Sequence, residues 1–137
     1  MSTNAASNYL ENKILDHTLR YGSAPYTAPT TLYLALFTAD PGEASSFTYE
    51  VSTSGTAYAR KTVTFAAASG GTSASNATVT FDAATAEWGT ITHIAICDSG
   101  TAGAGNQLYY GALTTSKLIQ TGDTLQFVSG NITVSLD

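Results

Sequence analysis

The chain has 137 residues, the length of one domain with an ordinary buried core. Its net charge is −5, and only 11% of its residues are charged. The five basic residues are scattered, which excludes the clustered basic face of a nucleic-acid binder. A single cysteine excludes an intramolecular disulfide, and no apolar run approaches the roughly 18 residues of a membrane-spanning helix.

Met1 is followed by STNAAS, with neither a basic nor an apolar region, so no secretory signal is predicted. The single cysteine fits assembly in a reducing cytoplasm. Residues 1–7 read as a flexible polar arm, expected to become ordered only against a neighbouring subunit. NYLENKILDHTLRYG then predicts a helix over 8–21. Asn8 and Glu11 have capping-box spacing. Leu10, Ile14, His17 or Thr18, and Tyr21 recur at helical intervals, with Leu15 and Leu19 widening the stripe. Asp16 and Arg20 can pair one turn apart, Gly22 terminates, and Pro25 and Pro29 oppose continuation.

Beyond Thr31 the signals are β. LYLALF opens a strand over 32–38, stopped by the Asp-Pro-Gly turn at Pro41. The tetrapeptide TVTF occurs at 62–65 and at 78–81, and the Gly/Ser loop between them is expected to close a hairpin. Further strands are predicted over 90–97, 107–113, 124–128 and 132–136, separated by Gly-rich turns. About seven to eight short strands with one N-terminal helix predict an all-β fold. The expected form is an antiparallel β-sandwich, jelly-roll-like, or a barrel. The whole chain, 1–137, is read as a single domain with its β-portion at 31–137.

The stretch EWGTITHIAICDS gathers His93, Cys97 and Asp98, the side chains of a thiol nucleophile or a metal site. Its isoleucines and threonines predict a strand. His93 and Cys97 then share a face but lie roughly 13 Å apart at about 3.3 Å per residue, too far for a Cys–His pair. Neither a catalytic residue nor a metal ligand is assigned, and Cys97 reads as a small core residue. Trp88 reads as a core anchor. The glycines at 100, 103 and 105 lack a following GK[ST], so they form no phosphate loop. Asp40, Glu43 and Glu50 read as a solvated acidic loop without a Ca²⁺ pattern. No G-x-S-x-G occurs; an acidic pair for glycoside hydrolysis is set by distance in the fold, and ten scattered acids favour the reading without one. The sequons at Asn76 and Asn131 are incidental to an Asn- and Thr-rich chain. No cofactor is implied.

Tyrosine is the enriched side chain, with eight copies. It offers rigid apolar area with a polar tip and so suits interfaces, where charge is depleted. Tyr9, Tyr26, Tyr49, Tyr109 and Tyr110 are the candidate interface residues.

TTLYLALFTADPGEAS, EVSTSGTAYARKTVTFAAASGG, ATAEWGTITHIAICDS, NQLYYGALTTSKLIQTGDTLQF and NITVSLD, in that order, resemble a family of small tailed-bacteriophage proteins. Its members are usually labelled tail fibre or virion structural proteins. The resemblance covers about residues 8–137. It implies a non-enzymatic, β-rich virion component, made in the host bacterial cytoplasm in many copies, with no catalytic residues. Its expected partners are other virion proteins (major capsid or tail proteins) and copies of itself, a trimer being favoured; neither nucleic acid nor membrane is expected. Two alternatives accompany this reading. One is a capsid decoration or cement protein that stabilises the shell. The other is a host-glycan-binding module with Trp88 or the Tyr109-Tyr110 pair against sugar faces. A depolymerase is the least favoured.

Overall fold

The computed structural model describes residues 4–22 and 25–136. Nine strands and one helix are present among them, in antiparallel sheets with the helix at the N-terminus. The all-β sandwich with one leading helix is borne out.

The first strand, β1 (Asn4–Ala6), precedes helix α1 (Asn8–Leu19). Residues 4–7 of the expected arm are therefore docked on their own chain; residues 1–3 lie outside the described residues. Ser7, not Asn8, is the N-cap. Its hydroxyl accepts from the Leu10 N–H at 3.3 Å and donates to the Gln107 carbonyl, and the residue is fully buried. One side chain thus satisfies an orphan helix N–H and ties the helix start to the sheet. The helix stops at Leu19, earlier than Tyr21, because Arg20 leaves helical geometry (φ −117°, ψ 79°).

The main sheet continues with β2 (Leu32–Phe37), β3 (Lys61–Val63), β6 (Gly89–Cys97) and β7 (Gln107–Ile119), in the order β1-β7-β6-β2-β3. Two small sheets lie apart from it. One pairs β4 (Thr72–Ala74) with β9 (Thr133–Ser135), the other β5 (Val79–Thr80) with β8 (Gln126–Phe127). Strand β2 is apolar at every position because both its faces are covered. Leu34 and Leu36 enter the main core with Ile94, Ile96 and Trp88. Ala35 and Phe37 form a second small cluster with Ala95 and Cys97, roofed by Phe47 and Tyr110. Burial of each such aliphatic side chain is worth roughly 1.5–3 kcal/mol.

The hairpin expected between the TVTF copies closes inside the loop instead. Ser69 and Thr72 exchange backbone hydrogen bonds at 2.9 and 3.1 Å. Gly70 (φ 61°) and Gly71 (φ 76°) supply the two positive φ angles of a tight hairpin turn. The Gly-Gly pair nucleates a nearer partner than the second TVTF, so Phe65 bridges Ser75. The copies themselves pair elsewhere, β3 with β2 and β5 with β8.

Candidate interface surfaces

The opening chemical question has a structural answer. Strand β6 carries His93 and Cys97 in extended geometry, four residues apart along the strand, so the imidazole and the thiol do not pair. Cys97 is fully buried, and burial pushes its thiol up to about 12. The His93 ring bonds its neighbour Thr92 through Nδ1 at 2.8 Å. Among the described residues no three His, Cys, Asp or Glu side chains converge as metal ligands. Trp88 is 5% exposed. It donates from Nε1 to the Thr56 carbonyl at 2.8 Å and packs edge-on against Tyr58 and Phe81. It anchors the core and is unavailable as a sugar-stacking platform.

Glu50 corrects the reading of a solvated acidic loop. Its side chain is 3% exposed beside an Arg60 that is 0% exposed. Arg60 meets the carboxylate through two parallel bonds, Nε to Oε1 at 2.8 Å and Nη2 to Oε2 at 2.9 Å. The Tyr58 hydroxyl and the Gly103 N–H each add a donor at 2.8 Å. Arg60 Nη1 reaches the Ser99 and Ala104 carbonyls at 2.7 and 2.9 Å, and its guanidinium lies 4.9 Å from the Phe47 ring centroid. Burial alone would lower the guanidinium pKa, but the bonded Glu50 carboxylate, together with Cys97 and Tyr58, makes the net shift upward. Tyr58 also accepts the Leu36 N–H at 3.1 Å, replacing the partner that β2 lacks beyond the end of β3. Burial, with Glu50 next, drives its phenol strongly upward. The cluster sews residues 50–60 to the 99–104 loop. The available sequence signal was a bidentate-capable Arg and a Glu flanked by Val51, Tyr58 and Phe47 in a charge-poor chain. Asp40 and Glu43 stay outside it; Asp40 accepts the Gly42 N–H at 2.9 Å in its own turn.

The five candidate tyrosines separate into groups. Tyr109 and Tyr110 are adjacent on β7, so they project to opposite faces: Tyr109 packs on the main core and Tyr110 on the small cluster. They form no common platform. Tyr49 is half-exposed where its carbonyl accepts the Thr38 N–H. Tyr26 and Tyr109 line one side of a groove of about 360 Å³ between α1 and the sheet, with Leu10, Ile14 and His17 opposite. Tyr9 and Lys13 line a second, smaller pocket that shares Tyr26 with this groove. Burial first, then Tyr9, Asp98 and Tyr109, raise the Tyr26 phenol pKa. The His17 Nδ1 accepts the Tyr26 N–H at 3.1 Å, pinning the groove wall to the helix. A one-residue bulge creates this side of the molecule. Ile96 faces Tyr109 while Cys97 faces Gln107, leaving Leu108 extra and turned, like Tyr109, into the groove.

The helix's other face was missed. Leu15 follows Leu10 by five residues, about 140° round the helix at 3.6 residues per turn. Leu15 and Leu19 therefore do not widen the buried stripe; they are 54% and 75% exposed, and Leu10 alone is buried. Tyr21 stands fully in solvent, and Leu136 on the C-terminal segment shares a groove with Leu15.

The family model of podophage GP4 fiber I protein gp80 matches residues 5–135. Comparison with curated proteins returns no match.

Proposed function

The chain belongs to the phage fibre family of podophage GP4 fiber I protein gp80, and from that premise we propose that it is a non-enzymatic structural subunit of the virion, present in many copies and assembled in the host cytoplasm. The observation that carries this reading is where the chain spends its polar chemistry. Glu50, Tyr58 and Arg60 are consumed in fastening loops to one another, and Cys97 is sealed in a core. The outward-facing resources are instead apolar: Leu15, Leu19, Tyr21, Tyr49 and Leu136. Such a surface suits packing against other subunits. Quantitative mass spectrometry of purified particles, with a cryo-EM map to locate the chain, tests the reading. Many copies per particle in fibre density are expected. Absence from particles would overturn it, and density spread over the shell would replace it with capsid decoration.

A second reading is favoured by the groove beside α1. Tyr26 and Tyr109 in an open apolar cleft, with Tyr9 in the adjoining pocket that shares Tyr26, suit the face of a host-surface sugar. Tyr26→Ala and Tyr9→Ala should then reduce adsorption of the purified protein to host cells while leaving incorporation into particles intact. Unchanged adsorption would discard this reading.

A further inference from the structure

We propose that the outer face of α1 pairs with the same face of a second copy, antiparallel and about a two-fold axis; this rests on the multi-copy reading above. Asn8, Asn12, Leu15 and Leu19 follow one another at intervals of four, three and four residues, the spacing of a coiled-coil seam. All four are exposed. Leu10 seats the opposite side of the helix, while Asn12 and Leu15 edge a groove closed by Ser135 and Leu136, so a second helix at the usual 8–10 Å lies over Leu15, Leu19 and Leu136.

The flanking charges select the occupant and its direction. Glu11 and Thr18 border the seam on one side and Asp16 on the other. In a parallel pair, or a parallel three-fold bundle, Glu11 of one copy meets Asp16 of the next, five residues ahead, and the two carboxylates repel. In an antiparallel pair Leu15 packs on Leu19 of the second copy and Leu19 on its Leu15. The same axis brings Asp16 opposite Asp16 of the second copy, and the two Arg20 guanidiniums, each within one turn of both carboxylates, offset that repulsion. Within the single chain Asp16 and Arg20 meet only at 3.4 Å, with side-chain exposures of 37% and 60%, so both remain open to a second copy. The opposed helix dipoles add a favourable contribution. The contact is isologous and closes on itself. Leu136, beside Leu15 at the helix flank, extends the apolar area. Any three-fold assembly of this chain must then use a different surface.

Disulfide mapping on the full chain tests the arrangement, because the only native cysteine, Cys97, is buried. Leu15→Cys and Leu19→Cys proteins are mixed in equal amounts and oxidised mildly. Antiparallel pairing predicts the mixed 15–19 cross-link in excess over 15–15 and 19–19. A predominance of 15–15 and 19–19 would overturn the direction, and no cross-link at the highest soluble concentration would overturn the pairing. Sedimentation equilibrium supplies the second measurement. Arg20→Asp should weaken association about tenfold, and the charge swap Asp16→Arg with Arg20→Asp should restore it. An unaffected Arg20→Asp would refute the charge argument. Wild-type incorporation into particles is scored separately. Many copies per particle without the 15–19 link sinks this inference alone; the link without incorporation sinks the virion reading alone.

Discussion

Replacing Arg60 by Met should be among the most damaging single substitutions in the β-domain. The change keeps an unbranched apolar stem but strips the Glu50 carboxylate of two of its four hydrogen bonds, leaving Tyr58 and Gly103 as donors. It also abandons the Ser99 and Ala104 carbonyls. With exposures of 0% and 3%, water cannot replace what is lost. Breaking such a buried pair costs about 3–5 kcal/mol, against a total stability of roughly 5–15 kcal/mol for a domain. An exposed pair would cost only about 0.2–1 kcal/mol. The assay is urea unfolding followed by the fluorescence of Trp88, the sole tryptophan. With a slope of about 2 kcal/mol/M, a loss of about 4 kcal/mol lowers the midpoint by about 2 M. Glu50→Met should behave similarly, whereas the double variant Glu50→Met/Arg60→Met removes both charges together. It should be far less damaged than the sum of the singles. A single-variant cost under about 1 kcal/mol, or strict additivity in the double, would refute the claim that the pair is sealed from solvent.

Three further outcomes follow from local geometry. Cys97 should resist thiol reagents in the native state at pH 8 and react only on unfolding. Its thiol is raised from 9.0 to about 12, so the folded state holds the proton more tightly. Stability is therefore complete below about pH 9, falls as pH rises towards 12, and falls less steeply in Cys97→Ala; a flat wild-type profile over that range would contradict the burial. Gly105→Ala should cost more than about 1 kcal/mol in thermal or urea unfolding. Its backbone has φ +79°, and the new Cβ would stand 2.5 Å from Ser99 Cβ and 2.6 Å from Asp98 Oδ1; neutrality would show that the 99–105 loop relaxes freely. Ser7→Ala should cost about 1–2 kcal/mol and speed amide exchange at Leu10, since both the cap and the bond to Gln107 disappear; unchanged exchange would mean that the cap is not formed.

Much of the fold was legible because it is written in short-range pattern. The isoleucines of 91–96 become β6 through β-branching, and the short continuous apolar run of 32–37 becomes β2, a strand covered on both faces. The face of α1 that stays open was also legible. A count of about 100° per residue separates Leu15 and Leu19 from Leu10, and only an overly wide stripe concealed it. The candidate tyrosines were legible as residue types but not as a site. Adjacent positions on one strand necessarily split Tyr109 from Tyr110, while Tyr9, Tyr26 and Tyr109 are gathered by chain segments with no local link between them.

By itself the sequence determined the β-rich class, the leading helix, the turns and the inert setting of Cys97. Each depends on neighbours a few residues away, where period and turn chemistry act. Tertiary structure alone decided which charges are buried, which strands pair and where the chain's start is fastened. Glu50 finds Arg60 ten residues on and Gly103 in another loop, and Ser7 caps the helix while bonding a carbonyl 100 residues away. Whether a carboxylate is solvated or sealed is set by what packs over it, because the cost of desolvation and the hydrogen bonds that offset it both come from distant segments of the folded chain.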